Sequence, residues 1–138
     1  MVNYLEQYRA LIMRAAQVYT ELIELYESSS LDETESARNS GEASVYRKGL
    51  LETLALPRLK ITAEITSVFI VATGRYLDNH WADYTTFPIA PPHSKEYPAT
   101  DAEKRQRLLR LHADLQTVID GIGEIYNALR LIDSSAKP

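Results

Sequence analysis

The chain contains no cysteine, which excludes disulfides, thiolate metal sites and cysteine nucleophiles and fits a reducing compartment. It has only five glycines, and they form no glycine-rich phosphate loop. No Glu-x-x-His pair occurs anywhere in it, so the ligand pattern of di-iron helical bundles is missing. Long apolar runs are missing too. The most apolar uncharged run, Ile65 to Gly74, is ten residues, against the roughly 20 needed to cross a bilayer. The first residues, MVNYLEQYRALIMRAA, carry charges inside their apolar pattern, unlike a secretory signal. There is no basic excess, since 15 lysines and arginines face 19 acids for a net charge of −4. Proteins that grip a nucleic-acid backbone usually carry a basic footprint. These absences predict a cytoplasmic protein with no membrane contact and a protein partner, or a second copy of itself, as the default.

What the chain does have is helical periodicity. Its 138 residues are 45% hydrophobic and 25% charged, the composition of one globular domain, 1–138, able to bury a core. Near the start, Leu5, Tyr8, Ile12, Ala15, Tyr19, Leu22 and Tyr26 follow an alternating three-and-four spacing. Near the end, Leu108, Leu111, Leu115, Val118, Ile122, Ile125, Leu129 and Ile132 do the same. That spacing puts every member on one side of a helix, the seam along which long helices pack. Leu11, Val18 and Leu25 add a second row at seven-residue intervals beside the first. The first helix therefore needs at least two neighbours, and Tyr8, Leu11, Val18 and Leu25 are its expected interface residues.

Helix starts and breaks can be placed between these rows. Asn3 with Glu6, and Thr100 with Glu103, have capping-box spacing, so long helices are expected from about residue 3 to 26 and from about 101 to 132. Residues 27–43 hold five acids, one arginine and many serines, which predicts an acidic loop. Tyr46, Leu50 and Leu54 have helical spacing up to Pro57, which either opens a new helix or kinks a continuous one. Beyond it, Ile61, Ile65, Val68, Phe69, Ala72 and Tyr76 share one helical face. This segment is rich in β-branched residues, but its spacing, its length and the lack of a hairpin mate favour helix over strand. Residues 85–100 contain four prolines and read as a Pro-rich crossover. The glycines of Gly121-Ile122-Gly123 cost about 1 kcal/mol each inside a helix, so they mark a close contact or a bend. The expected fold is all-α: an elongated bundle of three to four long helices.

Few groups suggest chemistry. Arg75-Tyr-Leu-Asp-Asn-His80 resembles the catalytic motif of HEPN-domain ribonucleases, an arginine and a histidine separated by four residues. The resemblance covers six residues and implies a metal-independent ribonuclease in which His80 acts at the RNA 2′-hydroxyl and Arg75 holds the scissile phosphate. Arg105 and Arg107 also precede His112 at permitted spacings, but His112 is in line with Ile119 and Tyr126 and reads as flanking the packed seam. Asp78, His80 and Asp83 lie near one helix end, and no second cluster would complete a metal shell, so no metal or cofactor is expected. Lys104, Arg105, Arg107 and Arg110 form a basic patch that would pair with nearby acids or contact nucleic acid. Trp81, Tyr84 and Phe87 flank the crossover and are candidate partner contacts.

The leading functional expectation is a non-enzymatic helical assembly or protein–protein interaction module, a self-associating subunit or an adaptor of a larger complex. The alternatives are the HEPN-like ribonuclease and a small acidic inhibitor, similar to an antitoxin, that covers a basic surface on its target.

Overall fold

The structure, a computed structural model, describes residues 3–27, 33–80 and 98–136, except the side chains at 33–37, 98–102, 104, 105 and 133–136. Four helices account for nearly all of them: α1 (Tyr4–Glu27), α2 (Glu33–Leu54), α3 (Ala63–His80) and α4 (Pro98–Ala136). No strand occurs among the described residues, and the β-branched segment is helical from Ala63 onward, as its spacing predicts. No helix among them is long and apolar enough to cross a membrane.

Each described start has a chemical cause. The Glu6 backbone N–H donates to Asn3 Oδ1 at 3.1 Å, and Gln7 N–H donates to the Asn3 carbonyl at 3.1 Å. Asn3 thus supplies an acceptor for one of the four N–H groups a helix start leaves free. Thr62 does the same for α3, accepting from Ile65 N–H at 3.1 Å. Pro98 opens α4, where its missing N–H costs nothing, three residues before the expected start and inside the expected crossover. The rest of that crossover lies outside the described residues. At Pro57 the chain ends α2 instead of kinking a longer helix: residues 55–62 are non-helical.

The expected acidic loop requires correction. α2 begins at Glu33, so residues 33–43 are helix. Acids in a first turn are favoured by the helix dipole, and small residues allow the packing. Asn39, Ser40 and Ala43 are buried where α2 lies against α1. Residues 28–32 lie outside the described part.

α1 is the central element, lying against α2 on one side and α4 on the other, while α3 lies against α4. α1 and α4 run antiparallel. Arg14 meets Asp114 at 2.7 Å, Glu21 meets Arg107 at 3.5 Å, and the Leu11 side chain covers Gly121. The two predicted apolar rows form the seam. Ile12, Tyr19, Leu22, Leu108, Leu115 and Ile122 are fully buried, each such aliphatic contributing about 1.5–3 kcal/mol. With 39 residues, α4 is about 58 Å long and runs past the start of α1. This leaves Leu131 and Ile132 exposed at its end, although Ile132 continues the apolar row.

The two helical glycines of α4 differ, which gives a stability prediction. A Cβ at Gly121 would stand 3.0 Å from Leu11 Cδ1, whereas one at Gly123 would meet nothing within 4 Å. Gly123→Ala is therefore expected to stabilise the fold by about 1 kcal/mol through helix propensity. Gly121→Val should destabilise it, because a branched side chain collides with Leu11. Urea denaturation of the two variants checks both signs.

Candidate functional site

α2 and α3 form the open side of the bundle. They run antiparallel and are tied together only near one end. There Glu42 Oε2 lies 2.8 Å from His80 Nε2, and the Tyr46 and Tyr76 rings meet edge to face with centroids 5.4 Å apart. Tyr46 also stacks on Tyr19 of α1 at 5.7 Å. Beyond that end a cleft of about 510 Å³ lies between them. Its floor is Tyr8, Tyr19 and Phe69, its walls include Leu50, Ile65 and Ala72, and Val45, Leu56 and Val68 stand at its rim. Among the described residues lining it, Glu64 is the one acid and there is no base. Gly49 lines the α2 wall, and a Cβ there would meet nothing within 4 Å.

The floor is chemically quiet. Tyr19 is fully buried, and its hydroxyl forms no well-made hydrogen bond. Burial pushes that phenol far above its ordinary range, with smaller contributions in the same direction from Tyr46 and Glu42. The Thr73 side chain pulls it back by more than either of those adds, and burial still wins. Burial also raises the Tyr8 phenol. Both are neutral at physiological pH, so the cleft presents ring faces rather than a general base. Among the described residues no group of three acids or histidines could hold a metal.

Around the cleft mouth the surface is apolar. Val45 is 71% exposed, Val68 63% and Val71 51%, with Leu56 about half exposed. On α3, Glu64, Val68, Val71 and Arg75 make one exposed stripe; on α2 and the turn after it, Val45, Lys48, Glu52 and Leu56 make another. An unpartnered apolar surface rimmed by charge is the usual mark of a docking site.

The residues singled out in the sequence fall elsewhere for the most part. Tyr8, Val18 and Leu25 are buried inside this one chain and Leu11 is half-buried; the second row is covered by the chain's own helices. Of these, Tyr8 does reach the cleft, as part of its floor. Trp81, Tyr84 and Phe87 lie outside the described residues, as do the side chains of Lys104 and Arg105. Arg107 pairs with Glu21, and Arg110 is exposed. His112 is fully buried beside the α4 row.

Arg75 and His80 are not brought together. Five residues along a helix is about 140° around its axis, and here Arg75 points outward while His80 is buried. The His80 ring packs on Tyr76 at 4.5 Å and faces Tyr26 at 6.4 Å, with its Nε2 on Glu42. The HEPN-like arrangement needs both groups facing one phosphate, and within a single chain they face apart.

Sequence reasoning missed the exposed stripes because Val68 was assigned to the inward face. α3 has apolar residues nearly all the way round between Ile65 and Ala72, and a helix of that kind needs cover on more than one side. Comparison with protein-family models, with characterised proteins and with solved structures finds no match for this chain.

Proposed function

We propose that this chain is a non-enzymatic helical interaction module of the cytoplasm, a subunit or adaptor whose α2–α3 face is covered by another protein surface. One observation carries the reading. The α2–α3 side gathers Val45, Leu56, Val68 and Val71 exposed around one apolar cleft, whereas the exposed apolar side chains of α1 and α4, such as Met13 and Leu109, line no such cleft. Such side chains are stabilised by removal from water, at about 25 cal/mol per Å² of apolar area. An open cleft between antiparallel helices is also the shape into which helical side chains seat. The cysteine-free sequence supports the reducing compartment.

Because the chain has no native cysteine, its surface can be probed one position at a time. Val68→Cys and Met13→Cys place single thiols on exposed sites of opposite character, one on the α2–α3 face and one on α1. With a maleimide reagent in intact cells, Val68→Cys is expected to react at least tenfold more slowly than Met13→Cys, and the difference should vanish in urea. Val68→Cys reacting in cells as fast as Met13→Cys would refute an interaction role for this face.

A further inference from the structure

We propose that the occupant of the α2–α3 face is a second copy of this chain, with α3 lying antiparallel on α3 of the copy about a two-fold axis. This rests on reading that face as a docking surface, and it names the partner. The exposed α3 stripe is Glu64, Val68, Val71, Arg75, spaced four, three, four. Reversed end for end, the spacing is unchanged. Laid antiparallel on itself, it sets Val68 against Val71 and Glu64 against Arg75, twice over. A two-fold contact makes this demand: the same patch must complement itself, residue i meeting j and j meeting i.

The α2 stripe, spaced three, four, four, obeys the rule only at its middle. Lys48 and Glu52 are centred near Leu50, so reversal sets each Lys48 against Glu52 of the other copy, with Val45 and Leu56 toward the ends. The middles of the two stripes are not level, and the α3 stripe sets the axis. Glu42 faces His80 and Tyr46 meets Tyr76, so Leu50 is level with a point about one turn from the middle of the α3 stripe. An axis lying in the interface, across the helices at the middle of the α3 stripe, sets α3 on α3 in the Val68–Val71 register and brings the two α2 helices together out of the Lys48–Glu52 register.

Charge separates this occupant from others. Each stripe carries one acid and one base, so the face is neutral although the chain as a whole stands at −4. A strongly basic or acidic partner would find no opposite field to steer toward. A second copy finds one acid for every base.

The test uses the full chain and charge reversal, with mass measured by light scattering at graded concentration. The wild type is expected to be a dimer at about 10–100 µM, where a modest helical interface would assemble. Glu64→Lys alone and Arg75→Glu alone each turn two attractions into two repulsions. Each is expected to weaken the dimer about tenfold. The double variant, Glu64→Lys with Arg75→Glu, restores the pairing in swapped form and should return the dissociation constant to within about threefold of the wild type. All four positions of the stripe are exposed, and unchanged urea midpoints at low protein concentration verify that each variant folds. Recovery in the double variant supports the antiparallel register. A dimer that Val68→Asp breaks but both charge reversals leave alone would overturn the register and leave the docking face standing. A wild type that is monomeric throughout, with Val68→Cys still protected in cells, would overturn the second copy and point to a different protein on the same face.

Discussion

Tyr76→Ala is expected to cost about 3–5 kcal/mol of folding stability, the range for deleting a buried aromatic ring. Tyr76 is fully buried where side chains from all four helices converge. Its ring meets Tyr19 of α1 at 5.2 Å, Tyr46 of α2 at 5.4 Å, His80 of its own helix at 4.5 Å and His112 of α4 at 6.5 Å. Edge-to-face ring pairs contribute about 0.5–1.5 kcal/mol each beyond the area they bury. The surrounding rings are rigid and cannot collapse into the space left, which places the loss toward the upper end. For a chain of this length the change corresponds to a fall in Tm of about 10–20 °C. Val71→Ala, on the exposed stripe of the same helix, should change monomer stability by no more than about 0.5 kcal/mol. A loss below about 1 kcal/mol for Tyr76→Ala would mean that the four helices do not meet on this ring.

How far the fold could be read from the residues follows from the kind of packing each helix uses. α1 and α4 bury large aliphatic and aromatic side chains at three-and-four spacing, so nearly every member of their rows, from Tyr8 to Tyr26 and from Leu108 to Ile125, is buried as expected. α2 packs its first half with Asn39, Ser40 and Ala43. Small and polar residues leave no periodic apolar signal, and a helix written in them resembles a loop. In α3 the difficulty is the reverse. With apolar residues on most sides, spacing does not decide which faces the core, and Val68 was placed inward when Phe69 and Tyr76 are the residues that turn in.

The candidate site was less legible than the fold for the same reason. A docking face announces itself by apolar residues left uncovered, and coverage depends on which helices lie side by side. That α2 and α3 sit on the open side is a fact of topology, not of spacing. The ends of the stripe, Glu64 and Arg75, gain meaning only once both are known to face outward together. Arg75 drew attention in the sequence through its spacing from His80. Its exposure and the burial of His80 give the two residues separate settings, one on a surface stripe and the other inside the aromatic cluster.

Stability should fall steeply as pH rises above about 10, and Tyr19 is the principal reason. Burial raises this phenol far above the ordinary value of 10.0, assisted by Tyr46 and Glu42, and burial raises Tyr8 in the same direction. A phenol raised in the folded state holds its proton there after the unfolded chain has released it. Below 10 both states are protonated, and the two phenols contribute no pH dependence. Above 10 the unfolded state binds fewer protons, so stability is lost as pH rises, by up to about 1.4 kcal/mol per unit for each such tyrosine. Tyr19→Phe removes one of the two. Because the Tyr19 hydroxyl makes no well-formed hydrogen bond, the substitution should change stability at pH 7 by less than about 1 kcal/mol while making the alkaline fall distinctly shallower. Urea denaturation at half-unit steps from pH 7 to 11 measures both quantities. If the alkaline slope were the same in Tyr19→Phe as in the wild type, the ring at the cleft floor would have to be open to water, and the apolar base on which the α2–α3 face stands would be lost with it.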